Sequence, residues 1–329
     1  MQARLNIGGR QQDGVMEYAI QTENLVKKYG SSFTALDKVS LEVRKGDVVG
    51  YVGPNGAGKT TTIKILSNLI KPTSGHAYIS GINVNQAPKE AFHKVGALIE
   101  VPGVYDYLTP REMLTYFGKV YRMDKTQIDQ RIKETLELVE LSAWEHKKIG
   151  SFSTGMQRRL VFIKAIFHKP EIVLLDEPVL GMDPEGIIEI RRLIKRFQND
   201  GMTVFLSSHL LSEVAEICDS VIFLNKGRVV ASDSMENIVN QMVYKAIDLK
   251  LLGPPSPDEI NTIRTLPLVN DVELENERVR IIFDGNPEAS HQILRELMSL
   301  DFKIVSYNPE SMDLEDYYIS IMNDKEGAD

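Results

Sequence analysis

Lys59 and Thr60 close the run Gly53-Pro54-Asn55-Gly56-Ala57-Gly58-Lys59-Thr60. This run matches the phosphate-loop pattern G-x-x-x-x-G-K-[ST] at every fixed position. The chemistry it suits is the holding of a nucleoside triphosphate. Glycine lets backbone N–H groups crowd phosphate oxygens with no side chain in the way. Lys59 is placed to reach the β- and γ-phosphates, and the Thr60 hydroxyl to ligate Mg²⁺. Thr61 continues into the helix whose positive end faces the same phosphates.

A second set of chemical groups lies far downstream. Glu171-Ile172-Val173-Leu174-Leu175-Asp176-Glu177 is an apolar run ending in two acids, with Pro178 next. At the carboxyl end of a buried parallel strand, acids face the ligand. Asp176 is placed to hold Mg²⁺ through water. Glu177 points the other way and can orient or deprotonate an attacking water. Upstream, Ser153-Thr154-Gly155 opens a helical run. Ser153 is a natural N-cap, and its helix N-terminus could bind an anion or simply be a capped helix.

These groups need elements to hold them. From about Tyr18 the chain alternates strands with helices, the mark of an α/β domain. Short apolar runs at Val48–Val52, Ile172–Leu175, Val204–Ser207 and Val221–Leu224 read as strands covered on both faces. Between Leu108 and Gly150 the strand signal gives way to a helical insert. There Ile128, Ile132, Leu136 and Val139 recur at helical spacing, which is core packing. Beyond Asp233 the pattern predicts a strand (Lys245–Leu251), a helix (Pro257–Thr265), two strands meeting near Asn276-Glu277, a helix (Pro287–Leu300), a strand (Phe302–Ser306) and a closing helix (Leu314–Met322). The order β-α-β-β-α-β is that of a small ferredoxin-like α+β domain.

Composition narrows the partners. The chain has 329 residues, 43% of them hydrophobic, and a net charge of −8. That length suggests about two domains. An acidic chain is poorly suited to general nucleic-acid binding, so no nucleic-acid partner is expected. The single cysteine, Cys218, excludes an internal disulfide and a cysteine-cluster zinc site. No apolar run reaches the ~20 residues that span a bilayer, and the N-terminus has no apolar signal core. Residues 1–15 read as a loose extension.

The order of motifs resembles the nucleotide-binding subunits of ABC transporters. It runs from the phosphate loop through Phe152-Ser153-Thr154-Gly155-Met156-Gln157-Arg158-Arg159-Leu160, Leu174-Leu175-Asp176-Glu177-Pro178 and Gly181-Met182-Asp183-Pro184 to Ser207-Ser208-His209. The resemblance covers about Tyr18 to Ser232, and is greatest to the branch that serves separate export-type permeases for antibiotics, lantibiotics and sodium. It implies a P-loop NTPase core of ABC type at 16–232, with a helical subdomain at about 101–165 and an accessory domain at 233–329. The last of these ends in the Leu314-Glu315-Asp316 patch of such subunits.

The resemblance also implies roles. Tyr29 matches the aromatic that stacks on adenine. Ser153 and Gly155 match the residues that contact the γ-phosphate held by the opposite subunit. Asp183 matches the loop crossing the dimer interface, and His209 the switch histidine that contacts the γ-phosphate. Glu100, in Leu98-Ile99-Glu100-Val101-Pro102, stands where the family usually has a Mg²⁺-ligating glutamine. A carboxylate there can still bind Mg²⁺, and it tilts the reading toward antimicrobial-peptide export. Thr154 and Met156 replace the usual glycine and glutamine of the signature. The expectation is an ATPase using ATP and Mg²⁺, working as a dimer beneath a separate permease at the cytoplasmic face of the membrane. A soluble ATPase of the same family without a transport role is the alternative.

Overall fold

In the computed structural model, which describes residues 18–30, 32–99, 105–241, 244–275, 278–285, 287–311 and 313–326, the chain divides into two compact units after Met235. The first unit opens with a hairpin of β1 (Tyr18–Tyr29) and β2 (Phe33–Arg44). In β2, buried Val39, Leu41 and Val43 alternate with more exposed residues, so one face packs on the core and the other meets water. Next, β3 (Val48–Val52) is buried throughout and leads through the phosphate loop into α1 (Lys59–Leu66). Strands β4 (Ser74–Ile79) and β5 (Ile82–Asn83) return to the hairpin, giving an antiparallel sheet in the order β2-β1-β4-β5.

The second sheet carries the chemistry. After α2 (Pro88–His93) comes β6 (Val95–Leu98), and the chain then enters the helical insert. There α3 (Pro110–Val120) begins with a Thr109–Glu112 capping box and α4 (Lys125–Leu138) with an Asp124–Gln127 box, each satisfying orphan N–H groups from both sides. Ile128, Ile132, Leu136 and Val139 are buried. Two 3-10 turns, Ser142–Trp144 and Ile149–Ser151, precede α5 (Thr154–Ile166). The chain then forms β7 (Ile172–Asp176), α6 (Pro184–Asn199), β8 (Thr203–Ser208), α7 (Leu211–Ile217), β9 (Ser220–Asn225) and β10 (Arg228–Ser234).

The sheet order is β10-β9-β3-β8-β7-β6. All neighbours are parallel except β10, which pairs antiparallel with β9. The buried residues of β3, β7 and β8 run without alternation because helices cover both faces. β10 continues through Ser234, past the boundary expected at 232–233.

The second unit begins within α8 (Met235–Gln241). It contains β11 (Tyr244–Leu251), α9 (Pro257–Arg264), β12 (Val269–Glu275), β13 (Arg278–Gly285), α10 (Pro287–Ser299), β14 (Ile304–Ser311) and α11 (Leu314–Glu326). Its antiparallel sheet has the order β12-β13-β11-β14 around a core that includes Ile247, Val279, Ile281 and Ile293. The expected turn at Asn276-Glu277 lies outside the described residues. The last strand differs from expectation. Phe302 lies in the link after α10, its N–H donating back to the Leu297 carbonyl at 3.2 Å, and β14 starts only at Ile304. The strand instead runs on through Pro309, which pairs with Ile247. A proline is tolerated there because β14 is an edge strand. Among the described residues no helix is long and apolar enough to cross a membrane.

A seam of rings joins the insert to the sheet. Tyr121, which ends α3, stacks on His168 at 3.7 Å between centroids and on Phe92 of α2 at 5.3 Å. The His168 Nε2–H donates to the Val95 carbonyl at 3.1 Å, while buried Nδ1 has no partner. Burial pushes the imidazole down from 6.5 to about 4. The unfolded chain therefore binds one more proton than the folded chain between those pH values, and stability falls as pH drops through that window. We expect His168 to remove about 2–3 kcal/mol between pH 7 and pH 4. Urea denaturation across that range should show the slope in the wild type and a shallower one in His168→Phe.

Candidate nucleotide site

Parallel pairing brings the separate motifs to one edge. Val52, at the end of β3, is opposite Ser208, and Asp176, at the end of β7, is opposite Ser207. Because β8 lies between the other two strands, the phosphate loop, the acid pair and His209 all emerge side by side at the carboxyl edge, where open α/β sheets bind ligands.

The loop is held by its backbone. Gly56 and Gly58 have φ of +80° and +111°. A Cβ on Gly58 would sit 2.6 Å from the Ala35 carbonyl oxygen, and one on Gly53 would sit 2.1 Å from the Leu224 carbonyl oxygen. Only glycine fits such contacts. Gly227 N–H donates to the Ala57 carbonyl at 2.9 Å, so the β9–β10 turn braces the loop from behind. Beneath it, the buried Tyr51 hydroxyl lies 3.2 Å from Thr62 Oγ1.

The charged groups meet across this loop. Buried Lys59 donates from Nζ to the Gly53 carbonyl at 2.7 Å and lies 3.3 Å from Glu177 Oε1. The other Glu177 oxygen, Oε2, is 2.9 Å from His209 Nδ1. Thr60 Oγ1 donates to Asp176 Oδ1 at 3.1 Å, and Ser207 Oγ donates to the same oxygen at 2.6 Å. Ser207 Oγ also accepts from Glu177 N–H at 3.0 Å. Glu177 itself has a left-handed backbone with φ of +49°. A non-glycine residue in that region stores on the order of 1–3 kcal/mol, and the bond from Ser207 is one of the contacts that hold it there.

Lys59, Thr60, Glu177 and His209 line a cleft of about 390 Å³. Its walls are Pro54 to Thr61, with Ala35, Glu177, Leu180, His209 and Phe33. Phe33 was not among the expected site residues. Its partner Tyr29, the expected aromatic, stacks on it at 6.5 Å and has Lys27 Nζ 5.1 Å above its ring. The sequence signal was a second aromatic four residues on, across the hairpin turn. Tyr29 ends β1 and is 44% exposed; Phe33 lines the cleft and Tyr29 does not.

Other expected site residues are placed elsewhere. Ser153 is the N-cap of α5, its Oγ accepting from Met156 N–H at 3.3 Å. Ser153 and Gly155 are exposed and do not line the cleft. Asp183 caps α6, accepting from Gly186 N–H at 2.9 Å. Glu100 lies outside the described residues. Among the described residues no group of three or more acids, histidines or cysteines could cage a metal unaided. The oxygens of Thr60 and Asp176 are hard donors of the kind Mg²⁺ takes, together with substrate phosphates.

A glycine loop between strand and helix, facing an acid pair and a histidine from neighbouring parallel strands, defines a P-loop nucleoside triphosphatase. Comparison with known proteins narrows this further. The ABC transporter family profile matches residues 36–180. The uncharacterized ABC transporter ATP-binding protein YcbN of Bacillus subtilis is 35% identical over 314 residues, covering 94% of this chain and 98% of that protein. The bacitracin transport ATP-binding protein BcrA of Bacillus licheniformis is 43% identical over 216 residues, covering 65% and 69%. The linearmycin resistance ATP-binding protein LnrL of Bacillus subtilis is 30% identical, covering 92% and 97%. Among solved structures, the ATP-binding cassette MJ0796, as a dimer in a post-hydrolysis state with ADP and Pi, superposes with a TM-score of 0.59 at 28% identity. It covers 66% of this chain and 98% of that one.

The chain belongs to the ABC transporter family, as one of its ATP-binding subunits. It is an ATPase, and subunits of this family dimerise and work with transmembrane partners.

The loop geometry is testable by one methyl group. Gly58→Ala places a Cβ against the Ala35 carbonyl at a left-handed backbone. We expect its affinity for a fluorescent ATP analogue to fall at least tenfold, a loss of about 1.4 kcal/mol or more. Equilibrium titration measures it.

Proposed function

We propose that this chain is the ATP-hydrolysing motor of an exporter, acting as a homodimer beneath a separate permease at the cytoplasmic face of the membrane. The observation that carries this reading is the split site. One cleft gathers Lys59, Thr60, Glu177 and His209, with Asp176 bonded to Thr60, while Ser153 and Gly155 present an exposed helix N-terminus outside it. A second copy supplies the missing donors across the γ-phosphate.

Each residue then has a task. The adenine stacks on the Tyr29–Phe33 pair. The N–H groups of Gly53 to Thr61 cradle the phosphates, and Lys59 exchanges the Gly53 carbonyl and Glu177 for phosphate oxygens. Thr60 and Asp176, with Glu100, hold Mg²⁺. When bound, that ion neutralises charge developing between the β- and γ-phosphates. Glu177, released from Lys59, takes a proton from the attacking water, and His209 keeps its carboxylate aimed. Asp183 stands at the interface between copies.

ATP closes the dimer because only the triphosphate engages both half-sites. Hydrolysis removes that bridge and lets the copies part. The insert carries the motion outward. A groove of about 740 Å³ runs between α2, β6 and the end of α3, with Leu69, Phe92, Ile99 and Val120 in its walls. Ile99 directly precedes Glu100, so a permease helix seated there touches the loop that holds Mg²⁺. The named relatives favour an exported antimicrobial peptide or drug as cargo, with lipids and ions as further members of the class.

Glu177→Gln should lower kcat by at least a hundredfold and hold an ATP-bound dimer. Light scattering that shows monomers at saturating Mg-ATP would contradict the closing mechanism. Lys59→Ala should abolish phosphate release, and retained turnover would remove the site assignment. Affinity capture from detergent-solubilised native membranes should yield a stoichiometric multi-span protein. Ribosomal or DNA-repair partners would instead favour a soluble ATPase.

A further inference from the structure

Arg158 lies just over one helical turn beyond the Ser153 cap of α5. Its guanidinium crosses to the loop that follows Glu177. Nη2 donates to the Pro178 carbonyl at 2.7 Å and Nη1 to the Leu180 carbonyl at 3.1 Å. Pro178 is the residue after Glu177, and Leu180 lines the nucleotide cleft. The loop is also closed on itself. Leu180 N–H donates to the Glu177 carbonyl at 3.2 Å, and Met182 N–H to the Val179 carbonyl at 3.2 Å. It ends at Asp183, the cap of α6.

The fork therefore grips a tightly folded loop at two points. Burial disfavours its charge and pulls its pKa below the ordinary guanidinium value. Both bonds go to carbonyls, so the charge serves backbone placement. A planar fork on two carbonyls resists rotation in a way that a lysine point contact does not.

We propose that Arg158 is a positioning residue that couples the nucleotide cleft to the Ser153 half-site of the same chain, so that filling one ATP site sets the donor geometry offered to the other. The second half of this statement rests on the dimeric reading above. A nucleotide that presses on Leu180 shifts the loop, and α5 follows through the guanidinium. Ser153 is then presented to the neighbouring copy already in place. The result is positive coupling between sites, which linkage makes reciprocal.

The test uses the full chain and a non-hydrolysable ATP analogue, at a dilution where sedimentation shows monomer. Hydrogen exchange should slow in the phosphate loop of both wild type and Arg158→Gln. In segment 154–161 it should slow in the wild type alone, with Arg158→Lys intermediate. Turnover in Arg158→Gln should fall about tenfold in kcat with KM for ATP within threefold, and the ATP dependence should lose its sigmoid shape. Arg158→Lys also serves if Arg158→Gln fails to fold. An equal response of segment 154–161 in wild type and variant, or none in wild type, would overturn the coupling. A Glu177→Gln chain that stays monomeric while the exchange coupling persists would overturn the dimeric reading and leave the link within one chain intact.

Discussion

The structure turns on one short run of hydrogen bonds, from Thr60 through Asp176 and Ser207 to the backbone of Glu177. It joins three strands that are far apart in sequence. Thr60 follows β3, Asp176 ends β7, and Ser207 lies in β8 between them. A single hydroxyl, that of Ser207, fixes the Asp176 carboxylate and the Glu177 peptide together. Two consecutive acids on an ordinary strand would point to opposite faces. The left-handed turn at Glu177 lets both address the same loop, and Lys59 and His209 then take one carboxylate oxygen each. The glycines answer the same constraint from the other side. At Gly53 and Gly58 neighbouring carbonyls occupy the space of a Cβ, so the loop approaches the strand ends by having no side chains to clear.

Such an arrangement is complete for binding and incomplete for closing. The cleft gathers cation, hydroxyl, acids and histidine on rigid elements, which keeps the ordering cost of catalysis low. The Ser153 half-site is presented outward on a capped helix whose first N–H groups need an acceptor. In the proposed dimer, an anion held by a second copy would meet that need and supply a free-energy difference between open and closed forms. A ligand with equal affinity for the open and closed arrangements would bind tightly and shift nothing.

The cleft was legible in the sequence wherever its signal was local. The phosphate loop, the acids after an apolar strand and the Ser153 cap each depend on a few adjacent residues, and the structure places them on the elements their spacing implied. What the sequence did not disclose is non-local. Ser207 reads as one serine in a Ser-Ser-His run, and only the parallel register against β7 sets it beside Asp176. Phe33 becomes a cleft wall because the hairpin folds it onto Tyr29. Arg158 reads as a helix-surface cation until the loop beyond Glu177 packs over it. The first sheet was passed over because its strands are half-polar and bulged, with register shifts along β1, whereas the central strands are continuous apolar runs. The end of β14 was misplaced for a related reason, since Pro309 signals a break everywhere except on an edge.

The two units divide the work by composition. Every residue lining the cleft belongs to the first unit. The second has its own core of strand and helix residues. On its sheet Arg278 pairs with Asp248, and Arg280 with Glu310 at 2.9 Å. The first pair joins the neighbouring strands β13 and β11, and the second reaches from β13 over β11 to β14, so both favour one register, since a one-residue slip would reverse every side chain. Such a sheet keeps its shape while the chemistry proceeds elsewhere. The aromatic seam of Phe92, Tyr121 and His168 plays the corresponding part inside the first unit. Flat rings in near-parallel contact resist separation yet tolerate sliding, so they hold the insert to the sheet without locking it. The unpartnered His168 nitrogen is the cost of that stacked surface, and the cost rises further when the imidazole is protonated.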